Sequence, residues 1–395
     1  MTESKATTRL NGLDTLRAAA IVLVLAYHYM VVVSGKNTFG FMTEIGWTGV
    51  DLFFVLSGYL IGNQIFSQIV QGRNFSLMTF YAKRLLRTLP NYYLVLAMYF
   101  IFPLALGERV TAPLWQFLTF TQNLGLRPGQ TFSHSWSLCI EEQFYLILPA
   151  IVMVIARLKG ARQVGWIAIG TAIVAGMLVR STAWFLNGRS AINTYDYYEH
   201  IYYSSFARFD ELLPGVAIAM LKNFHSEKFS KITKSGNMLF FIGLSMVGVM
   251  FYLFSNYLNT DEYGCSLLIA TFGYPLLAIG FGTLTLSALS ENSLLHRIRV
   301  PGATSIALWS YAIYLTHKPI FKLLVLPIAK IGIDKNSFLG ISIIMTVGLF
   351  GGWLLFRLVE TPFMALRARL FPAVSMNAEI VSMQIESLAK QRRAA

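Results

Sequence analysis

Runs of mostly apolar residues recur along the whole chain, separated by short polar stretches. A helix needs about 20 such residues to cross the hydrocarbon core of a bilayer, which is roughly 30 Å thick. The runs predict ten spanning helices, at 15–34, 47–69, 85–106, 138–157, 164–186, 205–222, 237–257, 264–289, 303–326 and 337–357. The polar gaps are too short to build a second core. Residues 1–365 therefore read as one all-α, polytopic membrane domain, and 366–395 as a basic cytoplasmic tail. The first run holds His28 and has no convincing small-residue cleavage site after it, so it is expected to be a retained helix and not a signal peptide.

An even number of spans puts both termini on one side. Alternate connections are rich in Lys and Arg: Arg73, Lys83, Arg84 and Arg87, then Arg157, Lys159 and Arg162, then Lys222, Lys228, Lys231 and Lys234, then Arg297 and Arg299. The tail adds Arg367, Arg369, Lys390, Arg392 and Arg393. The opposite connections hold only a few, such as Lys36, Arg109, Arg127 and Arg189. Positive residues collect on the cytoplasmic side of short-looped membrane proteins. Both termini are thus predicted to be cytoplasmic, in a multi-pass protein of the bacterial inner membrane.

Composition agrees with this reading. Of 395 residues, 55% are hydrophobic and 13% charged, against about 25% charged in soluble domains. Mean hydropathy is +0.56. The net charge of +13 falls largely in loops, so it speaks to topology, and no nucleic-acid partner is expected. Cys139 and Cys265 have neither metal-site nor disulfide-framework spacing. No metal is expected.

Ionisable residues inside spans are costly, by roughly 2.5–3.5 kcal/mol each on insertion scales, and so mark function or structure. His28, in the outer half of the first helix, suits a general base, because a neutral imidazole donates and accepts at once; a structural histidine bonded between helices is the other reading. His317, in Tyr314-Leu315-Thr316-His317-Lys318-Pro319, is a second intramembrane imidazole beside a helix-bending proline. Arg84 and Arg87 share a helical face, with Lys83 on the neighbouring one. Such a cluster either grips phosphate or anchors the helix at the membrane surface. Asp14 and Arg17 lie three apart and read as a local ion pair, with anion binding the lesser alternative. Glu141 and Glu142 enter an apolar helix side by side after Ser133-His134-Ser135-Trp136; a Ser-His neighbour pair alone says little about nucleophilic catalysis. Asp51 sits where a carboxylate favours a helix N-terminus, Ser57 and Gly58 allow close packing, and Arg208, Asp210 and Glu211 read as local charge pairing. Glu360 is placed to meet a cytoplasmic arginine.

The connection 187–204 is crowded with aromatics and polar groups: Asn193, Tyr195, Asp196, Tyr197, Tyr198, Glu199, His200, Tyr202 and Tyr203. It reads either as an interfacial aromatic belt or as a surface for stacking sugar rings.

Taken in order, these segments resemble the acyltransferase-3 family of bacterial membrane proteins. The resemblance runs through Leu13-Asp14-Thr15-Leu16-Arg17-Ala18, His28, Gly49-Val50-Asp51-Leu52-Phe53-Phe54-Val55-Leu56-Ser57-Gly58-Tyr59 and Arg84-Leu85-Leu86-Arg87 before Pro90. It continues through Trp136-Ser137-Leu138 with Glu141 and Phe144-Tyr145, Ser310 to His317, and Glu360-Thr361-Pro362, covering roughly 10–365. It implies ten core helices and transfer of an acyl group, often acetyl, to a hydroxyl. Family acceptors include surface polysaccharides, peptidoglycan, lipo-oligosaccharides and macrolides. The family's catalytic histidine maps onto His28 and its donor-site arginines onto Arg84 and Arg87. Some members carry an SGNH hydrolase-like C-terminal domain. The present chain is too short for one, so transfer is expected from the membrane domain alone or with a separate partner.

The resulting expectation is an O-acyltransferase with acyl-CoA, commonly acetyl-CoA, as donor substrate and no permanently bound cofactor. Arg84, Arg87, Lys83 and Arg17 would hold the donor. His28 would act as base, Glu141 or Glu142 would orient the imidazole or the sugar, and His317 would stabilise charge or hold the donor. The acceptor would be a carbohydrate hydroxyl, on a surface polysaccharide or lipo-oligosaccharide. Inner-face arginines and an outer-half histidine stand far apart, so either an extended pantetheine arm or an acyl-histidine relay must bridge them. The alternative is a proton-coupled exporter of a glycan or small metabolite, which also uses intramembrane His, Glu and Arg.

Overall fold

A computed structural model describes residues 11–372 except 74, 107–111, 189–193 and 261–263. Arg109, Arg189 and Asn193, and the tail from 373 with Lys390, Arg392 and Arg393, lie outside the described residues. Among the described residues the regular structure is helical, apart from a two-residue antiparallel pairing of Asn259–Thr260 with Gly264–Cys265.

The helices are α1 Asn11–Tyr29, extended by a π-turn to Ser34, then α2 Gly49–Val70, α3 Leu77–Ile101, α4 Trp136–Ala156 and α5 Ala161–Gly188. There follow α6 Leu213–Phe224, α7 Gly236–Tyr257, α8 Tyr274–Ala288, α9 Ala303–Lys330, α10 Phe338–Leu355 and α11 Thr361–Leu370. Among the described residues, eight segments are long and apolar enough to cross a membrane. The other two expected spans are α3, which has the length but carries Lys83, Arg84 and Arg87, and the region of α6, whose regular helix is only 12 residues long. The expected boundary at 365 falls inside α11.

Leu, Phe and Val side chains cover the outside of the bundle, as at Leu146, Val154, Leu178, Leu186 and Phe241. Lipid is as apolar as these side chains, so packing inside the bundle relies on small residues and polar bonds. The crossing of α2 and α6 is an example. A Cβ on Gly58 would stand 2.0 Å from the Leu212 carbonyl oxygen, and one on Gly215 would stand 2.0 Å from that of Val55. Two backbones approach there as only glycine permits, which is the close packing expected of Gly58.

Beside that crossing lie buried charges. Arg208 donates to Asp51 Oδ1 at 2.8 Å and to Glu211 Oε2 at 3.0 Å, with a further bond from its Nε to Glu211 Oε1. Its guanidinium lies 3.9 Å from the Tyr274 ring centroid. The local Arg208–Glu211 pairing is as expected, and Asp51 joins it from another helix in addition to sitting in the first turn of α2. Asp210 instead takes both ends of the Arg180 guanidinium, at 2.7 and 2.8 Å. Such paired, hydrogen-bonded geometry is what permits ions in a low-dielectric interior. These ties fix the short 205–212 segment against α2, α5 and α8.

Candidate active site

Two cavities enter the bundle, and no residue lines both. The first, of ≈290 Å³, is lined by Arg17, Arg84, Arg87, Glu141, Glu142, Tyr145, Tyr311 and Tyr314, among others. It shares Gln64, Arg84 and Arg87 with an adjoining cavity of ≈470 Å³ lined also by Lys83, Arg367 and Phe371. We call this the basic cavity. The second, of ≈670 Å³, is lined by His28, Ser133, His134, Lys318, Lys322 and a set of aromatic rings. We call it the aromatic cavity.

All four residues expected to hold a donor therefore meet in the basic cavity. Arg84 lies 3.8 Å from the Tyr145 ring centroid and 3.7 Å from Glu142 Oε1. Its Nε is buried without a hydrogen-bond partner among the described residues. Arg17 projects from the second turn of α1, where Asp14 is buried one turn earlier and its charge acts on Arg17. Glu360 accepts a hydrogen bond from Asn91 Nδ2 at 2.9 Å and is within electrostatic reach of Arg87.

Glu141 and Glu142 belong to this cavity too, and they stand apart from His28. Glu141 Oε2 accepts from Tyr145 Oη at 2.6 Å and Ser57 Oγ at 3.1 Å. The groups that orient the His28 ring are different ones. His28 Nδ1 lies 3.1 Å from the Val24 carbonyl and 3.1 Å from His317 Nε2, while His317 Nδ1 lies 3.0 Å from the Ile313 carbonyl. A carbonyl oxygen only accepts, so His317 carries its proton on Nδ1 and offers the lone pair of Nε2. His28 Nδ1–H then donates to that lone pair and to Val24, and the Nε2 of His28 is left as a base. His28 is half-buried and lines the aromatic cavity.

A third imidazole completes the group. His134 Nε2–H donates to the Leu315 carbonyl at 3.2 Å, and its buried Nδ1 has no partner among the described residues. Its ring centroid is 5.4 Å from that of His317 and 6.3 Å from that of His28. Lys318 Nζ donates to Ser133 Oγ at 2.9 Å beside it. Sequence reasoning noticed the Ser133-His134 neighbours without giving them a role, and passed over Lys318; the signal was their company with intramembrane polar residues.

Tyr195, Tyr198, Tyr202 and Tyr203 of the aromatic connection join Tyr27, Trp47 and Trp136 around this cavity. Tyr195, 57% exposed, stands at its mouth. The rings also pack on one another, with centroids 4.8 Å apart for Trp136 and Tyr202 and 5.3 Å for Tyr198 and Tyr203.

Tyr314 links the linings of the two cavities. Tyr314 lines the basic one, and its hydroxyl donates to the His134 carbonyl at 2.6 Å and lies 2.7 Å from Ser137 Oγ. Its ring centroid is 5.9 Å from that of His317. Along α1, Arg17 and His28 are separated by eleven residues, about 17 Å of helix rise.

A family model described as an acyltransferase domain matches residues 10–357. The chain belongs to the acyltransferase-3 family. The peptidoglycan O-acetyltransferase OatA of Listeria monocytogenes is 28% identical over 377 residues, covering 89% of this chain and 55% of that protein. The O-acetyltransferase OatA of Staphylococcus aureus is 26% identical over 332 residues, covering 79% and 50%. The chain thus spans about half the length of the curated relatives it matches. No solved structure matches it. It is a multi-pass membrane protein of an acyl-transferring family.

Proposed function

We propose that the chain is a membrane O-acyltransferase moving an acyl group, in the simplest case acetyl, from acyl-CoA to a hydroxyl of a carbohydrate. The observation that carries this reading is the hydrogen-bonded imidazole pair His28–His317, of which His28 lines the aromatic cavity, in a bundle that also holds an arginine-lined cavity. The loop charges support placing the basic cavity on the cytoplasmic side, where acyl-CoA is found. The donor's phosphates dock on Arg84, Arg87, Lys83 and Arg17 by charge-assisted hydrogen bonds. The thioester reaches past Tyr314 toward His28. His28 Nε2 takes the proton of the acceptor hydroxyl, whose oxygen attacks the thioester carbonyl carbon. The carbon–sulfur bond breaks, and the coenzyme A thiolate leaves and is protonated. His317 positions the ring and accepts a hydrogen bond from the imidazolium that forms, the role a carboxylate often plays beside a catalytic histidine. Glu141 and Glu142 order the donor-side arginines. What the relatives' names say of acetyl transfer to peptidoglycan supports the chemistry and suggests a surface glycan as acceptor.

The test is transfer of label from radiolabelled acetyl-CoA into cell-envelope fractions, comparing wild type with His28→Ala at matched protein level. Label entering a glycan only with wild type supports the reading. Equal labelling with both sinks the assignment of His28, and an exporter predicts no incorporated label in either.

A further inference from the structure

We infer that a groove between α4, α5 and α6 binds an anionic phospholipid from the bilayer, with its phosphate on Arg162 and one acyl chain laid along the groove. Such a site holds whether or not the chain transfers acyl groups.

The groove runs down the flank of the bundle, encloses ≈440 Å³ and shares no lining residue with the basic or the aromatic cavity. Buried Leu148, Val216 and Met220 line it together with exposed Ile147, Ile151 and Phe206, so it is open on its lipid side. It exists because α5 leans lightly on its neighbours. Only 11% of the apolar stretch of α5 is buried in the bundle, against 78% for the segment that ends in α2. Ala161, Gly165, Ala168 and Ala172 share one face of α5 and border the groove. In a membrane, a small-residue face normally meets another helix closely. Here Met220 alone comes near Gly165, where an added Cβ would stand 2.9 Å from the Met220 Cε. An empty apolar groove forfeits dispersion contacts along its walls, and a hydrocarbon chain restores them. The two ends of the groove differ. At one, Gln143 and Ser205 are tied to protein: Gln143 Nε2 donates to the Phe120 carbonyl at 2.7 Å, and Ser205 Oγ accepts from Asn123 Nδ2 at 2.8 Å. At the other stands Arg162, the one charged side chain among the described residues that line the groove. Arg162 lies in the first turn of α5, where the helix dipole also favours an anion. Arg157 and Lys159 adjoin it in the preceding connection. With these cations together and no carboxylate among the described lining residues, a headgroup of net negative charge is favoured over a zwitterionic one. From Arg162 to Ala172 is ten residues, about 15 Å of helix rise. That is half of the roughly 30 Å hydrocarbon core, the depth of one leaflet. A phosphate at Arg162 therefore lays a chain of ordinary length along the groove.

The test uses the purified full chain in nanodiscs doped with a phospholipid that carries a diazirine in its tail, either phosphatidylglycerol or phosphatidylcholine. After photolysis, the attached residues are mapped by peptide mass spectrometry. The phosphatidylglycerol probe should label Phe144, Ile151 and Ala168 about fivefold more than the phosphatidylcholine probe does, since one cation beside an anionic lipid is worth about 1 kcal/mol. Both probes should label the exposed Phe241 and Phe350, on other faces of the bundle, equally. Arg162→Gln should bring the two probes close to parity in the groove, and Arg162→Lys should keep the preference. Ala168→Phe fills the groove and should remove labelling of Ile151 by either probe, relative to Phe241. In the wild-type chain, equal labelling of the groove by both probes overturns the inference, and so does labelling no stronger there than at Phe241. Both of those results stand without any variant having to fold. A preference left unchanged by Arg162→Gln also overturns it, because the phosphate would then sit elsewhere.

Discussion

One face of α9 presents Tyr311 and Tyr314 to the basic cavity and, a turn or two on, Lys318 and Lys322 to the aromatic one. The two chambers share this helix, along with α1 and α4, yet handle charge differently. In the basic cavity, cations are set among carboxylates and against an aromatic face, with Arg84 between Glu142 and Tyr145. This compensation lets a cluster of arginines persist within the bundle. In the aromatic cavity, the central groups are imidazoles whose protons are assigned by backbone carbonyls: Val24, Ile313 and Leu315. Each carbonyl holds one ring nitrogen as a donor, which fixes where the lone pairs point. The contrast is between a chamber arranged to hold charge and one arranged to move a proton.

Substitutions can break this contrast in graded steps. The largest effect is expected from His28→Ala. General-base catalysis contributes typically 10²–10⁴-fold, so acetyl transfer should fall by about that factor while the KM for donor stays near wild type. A loss of donor affinity instead would merge the two chambers functionally. Next, Arg84→Ala should raise the donor KM by roughly 10- to 100-fold, following about 1.5–3 kcal/mol for a hydrogen bond to a charged group. Its kcat should change less, and steady-state kinetics with varied acetyl-CoA separates the two. His317→Phe should slow transfer by about 10- to 100-fold, in the range seen when a partner orienting a functional histidine is lost. His317→Gln keeps a side-chain acceptor and should recover part of the rate. Recovery in Gln but not Phe is the signature of positioning, since a merely structural role would follow fold stability in thermal melts. The smallest change is expected from Tyr314→Phe, which keeps the ring and removes two hydrogen bonds worth about 0.5–1.5 kcal/mol each. Acceptor-independent hydrolysis of acetyl-CoA should rise by about two- to fivefold, measured by free thiol release. Unchanged hydrolysis would mean that the hydroxyl does not hold the partition.

Much of the fold was legible in the chain because a bilayer makes a strict demand on it. An apolar run of fixed length is its own signal, and most of the expected spans agree with the observed helices to within several residues, as at 237–257 against Gly236–Tyr257, whereas 205–222 holds a regular helix only over Leu213–Phe224. The pairing of Arg84 and Arg87 on one helical face was also legible by spacing alone, and both line the basic cavity. What the chain could not display were contacts between distant turns. His28 and His317 meet across 289 positions, and His134 reaches the Leu315 carbonyl across 181. Spacing along the sequence carries no trace of either. Glu141 or Glu142 was expected to orient the imidazole or the sugar. They lie five and six residues beyond Trp136 on α4, about 8–9 Å of rise, and line the other chamber. Arg180 went unremarked in the middle of an apolar run, because its partner Asp210 lies in a segment whose charges seemed to satisfy one another locally.

The partition at Tyr314 has a consequence for the cell as well as for catalysis. In the reading proposed above the two chambers open toward opposite faces, so the region around Tyr314 would also carry the electrical insulation of the bilayer. If they joined through a water-filled passage, protons would run down the gradient that energises the membrane. Held by the His134 carbonyl and Ser137, Tyr314 would in that reading let reactants approach from both sides while ions do not cross. Abundant expression of the intact chain should therefore leave the membrane potential undiminished.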